Sequence, residues 1–278
     1  AQSYMILGGI PYYLGYIQKG LSLAQNIDQL FFTKTAKLKE EYKRLFSSVF
    51  SNPEEMMRIV NLLGSRHAGF TRIEISEKLN INTSGALSKM INALEASDFI
   101  EQYVPFGRKK SDVFYRLIDP FCLFYQKFVK TDNSLDENFW LNNVSSSRIN
   151  SWRGLAFEEV CFRHIQQIKK ALGISGVSTS QSAWSMIGND ANEGTQIDML
   201  IDRKDNVLNM CEIKFYNETF TISKAYHSIL THRLNVLSNN ISKRKVIHST
   251  LITTFGLEYN EYSGDFQQVI TLDDLFMD

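Results

Sequence analysis

Thr195-Gln-Ile-Asp198-Met-Leu-Ile201, followed by Asp202-Arg-Lys-Asp205-Asn206 and then Val207-Leu-Asn-Met-Cys-Glu212-Ile-Lys214-Phe215, decides how this chain is read. The first segment alternates in the manner of a strand, the second is a polar turn, and the third is a second strand. Together they predict an antiparallel hairpin. Alternation has a chemical consequence. Glu212 and Lys214 stand two apart and share a face of their strand, and a short turn brings Asp198, near the start of the partner strand, beside Glu212.

Two carboxylates so placed can hold a hard divalent cation such as magnesium or manganese, which prefers oxygen ligands. The Ile213 carbonyl is a further candidate ligand. Lys214 can orient or activate a water, or stabilise charge developing on a phosphate. Upstream, Gly154-Leu-Ala-Phe-Glu158-Glu159-Val-Cys-Phe162 opens a helix expected to run to Leu172, and Glu158 can reach the same cluster from it. The candidate catalytic set is Asp198, Glu212, Lys214 and Glu158, with Asp198 and Glu212 as metal ligands. The competing reading is a set of surface ion pairs, because Glu-x-Lys is common on hairpins. His227 and His232, on the helix after Lys224-Ala-Tyr226, read as helix-surface residues or as accessory phosphate contacts. Cys161 and Cys211 sit in apolar runs and are expected as buried thiols.

The chain has 278 residues, with 44% hydrophobic and 22% charged side chains. That composition excludes a disordered chain, and the length suits two domains. The 30 basic and 30 acidic residues cancel, which excludes a uniformly basic nucleic-acid coat but not local patches. By segment, residues 56–130 carry 11 basic against 7 acidic residues, and residues 151–278 carry 12 against 15. A basic module therefore precedes an acidic one. Three cysteines, Cys122, Cys161 and Cys211, fit neither zinc spacing nor a disulfide framework, which points to a reducing, cytoplasmic setting. No apolar run approaches bilayer length, so no membrane partner is expected. The start Ala1-Gln2-Ser3-Tyr4 has neither Met nor a signal-peptide pattern, and the chain is expected to begin inside a larger protein.

Residues 21–50 read as one helix, with Ile27, Leu30, Phe31, Leu38, Leu45, Phe46 and Val49 recurring at threes and fours. Asn52-Pro53 breaks it, and Glu54-Glu55 opens the next helix. Thr71-Arg-Ile-Glu74 is a capping box, so a helix runs from Arg72 to Leu79. Asn80-Ile81-Asn82 turns the chain, and Asn82 or Thr83 caps a second helix with Leu87, Met90, Ile91 and Leu94 on one stripe. Two short strands, Phe99–Val104 and Val113–Ile118, then flank the basic loop Pro105–Asp112. Asp119-Pro120 starts an aromatic helix, and residues 131–150 are a polar linker with a docking helix around Phe139-Trp140-Leu141.

Helix, turn, helix and two strands around a basic loop resemble a winged helix. The resemblance implies duplex DNA as partner, with Ser84, Ser88, Lys89 and Asn92 facing the major groove and Arg108, Lys109 and Lys110 on phosphates or the minor groove. A protein-interaction module with a solvated basic turn fits the same residues.

The Gly-x-x-Phe-Glu helix, Asp198 and Glu212-x-Lys214 closely resemble the PD-(D/E)xK nuclease superfamily. That implies a mixed sheet flanked by helices and metal-dependent phosphodiester hydrolysis. Ile197 stands where many members have Pro. Gly8-Gly-Ile-Pro-Tyr-Tyr-Leu-Gly-Tyr-Ile17 resembles the lid of archaeal-type P-loop ATPases of the STAND and AAA+ lineage, in which a winged helix and a C-terminal PD-(D/E)xK-like domain follow the core. No Gly-x-x-x-x-Gly-Lys-Ser/Thr occurs. The resemblance thus implies the C-terminal part of such an ATPase, with ATP bound only by the full-length protein, whose N-terminal core would be a partner.

The expected fold is multi-domain α/β: a helical ATPase-lid remnant at 1–52, a winged helix-turn-helix at 53–130, a linker at 131–150, and a restriction-endonuclease-like domain with a mixed sheet at 151–278. The functional alternative is a non-enzymatic DNA-binding or protein-assembly module regulated by the ATPase core. Homo-oligomerisation is compatible with either.

Overall fold

The computed structural model describes residues 1–81, 85–131, 136–186 and 194–277. Ser84, the expected caps Asn82 and Thr83, and residues 132–135 of the expected linker lie outside them. The chain is mixed α/β, with thirteen α-helices, a three-stranded antiparallel sheet and a five-stranded mixed sheet among the described residues. It divides into two compact units: residues 1–104 with 109–152, and residues 105–108 with 153–278.

The first unit opens with α1 (Gln2–Leu7), α2 (Pro11–Leu14), α3 (Leu23–Phe31) and α4 (Glu41–Val49). A capping box between Ser22 and Gln25 starts α3. The single helix expected over 21–50 is thus two. α3 stops at Phe32, and Leu38, 1% exposed, is buried from the connecting loop with its N–H on the Leu30 carbonyl. An apolar residue buried from a loop kept the three-and-four spacing going where no helix exists.

Pro53 sits at the start of α5 (Pro53–Leu63) with Glu54 and Glu55 in the first turn, where the helix dipole favours acids. β1 (Phe70–Thr71) leads into α6 (Arg72–Leu79). There Thr71 Oγ1 accepts from the Glu74 N–H at 3.3 Å and Glu74 accepts from the Thr71 N–H at 2.7 Å, a cap worth about 1 kcal/mol. Asn80, left-handed at φ 54°, ends α6. α7 (Gly85–Ala96) buries Leu87, Met90, Ile91 and Leu94. β2 (Ile100–Tyr103) and β3 (Phe114–Leu117) follow, and the sheet order is β1-β3-β2. Gly69, at φ +68°, is required beside this sheet, because a Cβ there would lie 2.0 Å from the Tyr115 carbonyl oxygen.

Asp119 caps α8 (Pro120–Phe124) through the Cys122 N–H at 2.7 Å, and the turn Tyr125–Val129 continues it with wider hydrogen bonding. Phe124 and Phe128 pack edge-on against Trp140 and Trp152 at 5.1–5.5 Å. Such pairs add about 0.5–1.5 kcal/mol each beyond their burial. The buried Asp28 carboxylate accepts the Trp140 and Leu141 N–H groups at 2.7 and 3.0 Å, holding the start of α9 (Phe139–Asn143). α10 (Ser147–Arg163) starts within the span expected as linker and carries the chain past Trp152 into the second unit.

In the second unit the helix expected to run to Leu172 breaks at His164. That residue leaves helical geometry at φ −97°, ψ 28°, and its ring packs on Phe276. α11 (Ile165–Ala171) then restarts with Ile168 and Lys169 buried. The sheet runs β4 (Thr179–Met186), β5 (Thr195–Arg203), β6 (Val207–Lys214), β7 (Val246–Thr253), β8 (Gln268–Thr271), neighbours in that order. β4, β5 and β6 are antiparallel; β6, β7 and β8 are parallel. Parallel neighbours need a crossover, and α12 (Lys224–Asn240) supplies it between β6 and β7. Its Leu237 packs on Ile197, Leu200, Leu208 and Met210, and its Leu230 on Phe220, Ile222, Leu251 and Phe266. Each buried leucine contributes about 1.5–3 kcal/mol. Short α13 (Leu272–Leu275) closes the unit.

Candidate functional site

β5 and β6 form the hairpin at the decisive stretch, turning at Asn206 with φ 64°. Met199 opposes Cys211 and Leu200 opposes Met210, so the next position along this register sets Asp198 opposite Glu212. The ladder stops one residue short of that pair. Instead of a backbone carbonyl, the Asp198 side chain takes the Ile213 N–H, on Oδ2 at 2.9 Å. The backbone donor is satisfied, and the carboxylate is pinned to the neighbouring strand.

Glu212 is the centre of the cluster. Its side chain is 3% exposed. Lys214 Nζ lies 2.6 Å from Oε1, which also accepts from the Tyr226 hydroxyl; Arg233 pairs with Oε2. Lys214 Nζ is 3.8 Å from Asp198 Oδ2 and 5.6 Å from the Tyr226 ring centre. Two acids and two bases therefore meet in an interior where charge is costly unless paired.

The titration behaviour follows. Burial, then the Glu212 charge, pushes the Asp198 carboxyl above the ordinary aspartate value, and this outweighs Lys214 and the Ile213 N–H. Burial alone would raise Glu212, but Lys214 and Arg233 outweigh it and hold that carboxyl below its usual value. Burial would lower Lys214, yet Glu212 and then Asp198 hold it above the ordinary lysine value. Lys214 is thus a firmly protonated ammonium. Burial and Glu212 likewise keep the Tyr226 phenol protonated.

Asp198, Glu212 and Lys214, expected together from the sequence, are brought together. Glu158 is half-buried on α10. That helix meets the other side of β6: Phe157 packs on Phe215, and the buried Cys161 thiol is pushed up by burial, then by Cys211, Glu158 and Asp198. Among the described residues no group of three or more His, Cys, Asp or Glu side chains could hold a metal ion. Glu212 points to the face covered by α12, whereas Cys211 and Phe215 point toward α10. Cys161 and Cys211 are buried free thiols.

His227 leaves this face. Its Nδ1 meets the Asp265 carboxylate at 2.7 Å and its ring stacks on Tyr262. His232 Nε2 is buried without a hydrogen-bond partner among the described residues. Tyr226 and Arg233 went unnoticed in the sequence. They stand seven apart, two helical turns, on the same face as Leu230 and Leu237. Two polar residues interleaved with a buried leucine stripe were the available signal.

The oxygen donors that a small divalent cation would use here are the Asp198 and Glu212 carboxylates. Asp198 Oδ1 accepts no hydrogen bond from the described residues, and the side chain keeps 10% exposure. Glu212 Oε2 carries one bond, that from Arg233. Magnesium and manganese accept such sites with one or two carboxylates and water completing the shell.

In the first unit, Lys89 and Asn92 are exposed on α7 and Ser88 is half-buried; Lys109 and Lys110 are exposed, as is Arg108 in the second unit's 105–108 segment. No helix among the described residues is long and apolar enough to cross a membrane.

No family model matches the chain, and no curated protein matches it. Among solved structures it is similar to the protein of unknown function AF1548, at 15% identity and TM-score 0.30, over 42% of this chain and 64% of that one. It is also similar to protein VC1899 from Vibrio cholerae, at 11% identity and TM-score 0.30, over 87% of this chain and 55% of that one. The chain spans less than two thirds of either neighbour.

Proposed function

We propose that the second unit is a PD-(D/E)xK-type, metal-dependent phosphodiesterase, and that the first unit carries a winged helix that binds duplex DNA. By the lid-like segment at residues 8–17, both belong to the C-terminal part of a P-loop ATPase. The observation that carries the nuclease reading is the convergence of Asp198, Glu212 and Lys214 from adjacent strands, with one Asp198 oxygen uncommitted. A mixed sheet with helices on both faces of β6 agrees with it. The winged-helix reading is supported by the order α5-β1-α6-α7-β2-β3 and by the β1-β3-β2 sheet.

Asp198 and Glu212 would hold the cation. Magnesium or manganese held there supplies positive charge for a phosphodiester and acidifies water. The chain's own groups divide the remaining work. Ile213 fixes the Asp198 carboxylate through its N–H. Lys214, held protonated, is unsuited to accept a proton; its ammonium serves to stabilise negative charge developing on the phosphate. The test is cleavage of single- and double-stranded DNA and RNA with magnesium or manganese. Asp198→Asn and Lys214→Met should each slow cutting about a hundredfold or more. Metal-dependent cutting that survives both substitutions rules out this site.

One observation favours the second reading, a non-enzymatic DNA-binding or assembly module. Both Glu212 oxygens are already engaged by the chain's own donors. Absence of cleavage by the protein joined to its ATPase core would support it.

A further inference from the structure

We propose that Arg233 is a clasp on Glu212 that competes with the divalent cation, so that the guanidinium must leave Oε2 before the cation binds fully. This inference rests on the cation reading above.

The argument begins with capacity. Glu212 Oε1 takes two donors, Lys214 and Tyr226, and so has no further strong acceptor position. Oε2 takes Arg233. The four charges of Asp198, Glu212, Lys214 and Arg233 already cancel, and a dication added to them meets two fixed cations at close range. Like charges repel strongly at the effective dielectric of a partly buried site, and the protein cation with the fewest other ties gives way.

The side chains differ in how readily they can. Lys214 is bound to its place by the strand, two residues from Glu212, and also faces Asp198. Tyr226 is uncharged and shares no repulsion with the cation. Arg233 reaches in from α12 on a long stem, pairs only with Glu212 among these groups, and keeps 19% of its side chain exposed. Leu230 and Leu237 anchor the helix on the sheet. The movement is therefore a side-chain swing, not a helix displacement. Once released, the planar guanidinium stands beside the cation site as a forked donor suited to phosphate oxygens.

The experiment measures Mn2+ binding to the whole chain by titration calorimetry and by electron paramagnetic resonance, without nucleic acid. Circular dichroism verifies that each variant is folded. Arg233→Met should bind Mn2+ about tenfold more tightly than the native chain, or better. Tyr226→Phe, which frees a position on Oε1 and keeps every charge, should tighten binding by a smaller factor and serves if Arg233→Met does not fold. Equal or weaker binding by the folded variants, with binding abolished by Asp198→Asn, overturns the clasp and leaves the cation site intact. Absence of binding by every protein at millimolar Mn2+ overturns both readings.

Discussion

Ile213 donates its backbone N–H to Asp198 Oδ2 at 2.9 Å, one residue beyond the point where the β5–β6 ladder ends. A side chain has taken the place of a strand carbonyl, and the carboxylate stands in a site that disfavours its charge. Burial and the neighbouring Glu212 charge raise its pKa. The folded protein therefore holds the Asp198 proton more tightly than the unfolded chain does. Stability from this group is present below the ordinary aspartate value and is lost as pH rises through the raised one. Asp198→Asn, which keeps the acceptor and does not titrate, should melt at a higher temperature than the native chain at neutral pH. The gap should narrow as pH falls through the Asp198 titration. Asp198→Ala orphans the Ile213 N–H and should instead cost about 1–3 kcal/mol. Thermal melts across acidic and neutral pH check all three statements.

Glu212 titrates in the opposite sense. Lys214 and Arg233 outweigh its burial and hold its pKa down. Its contribution is present above the ordinary glutamate value and is lost as pH falls through the lowered one. Glu212→Gln leaves two buried cations facing an uncharged amide and should cost about 3–5 kcal/mol. Adding Arg233→Met should recover part of that loss, because one stranded cation is removed with it. Urea midpoints for the two single variants and the double variant give the coupling, expected at about 1–3 kcal/mol.

The hairpin of β5 and β6 was readable because its information is local: alternation, a polar turn and a strand that continues the pattern. Asp198, Glu212 and Lys214 followed from it through strand geometry alone. Arg233 and Tyr226 did not, since a polar residue on a helix reads as solvated until the sheet it covers is known. β4 carries polar residues at most positions, Thr179-Ser-Gln-Ser-Ala-Trp-Ser-Met186, as suits an edge strand that buries little, and its weak pattern gave no strand signal. The parallel pairing of β6 with β7 needs the α12 crossover, that of β7 with β8 a second connection over residues 254–267, and neither has a short-range signature. Leu38 misled for the complementary reason: burial from a loop imitates the spacing of a helix. Which face of the sheet the Glu158 helix covers is decided by strand parity, which the sequence leaves open until register is fixed.

Duplex binding by the proposed winged helix gives the last expectation. Lys89 and Asn92 are exposed on α7, and Arg108, Lys109 and Lys110 are exposed in the loop between β2 and β3. If the loop binds phosphates, each neutralised phosphate releases a counterion, and the slope of log affinity against log salt falls by roughly one for each basic side chain removed from the backbone. Replacing Arg108, Lys109 and Lys110 together by Ala should weaken binding to every duplex sequence and flatten that slope by about two to three. Asn92→Ala should act differently. A hydrogen-bonded pairing with a base edge is worth about 1–3 kcal/mol, and removing it changes sequence preference while leaving the salt slope in place. Fluorescence anisotropy at several salt concentrations, with two unrelated duplexes, separates the two outcomes. An unchanged affinity in the loop variant would assign the basic turn to solvent or to a protein partner.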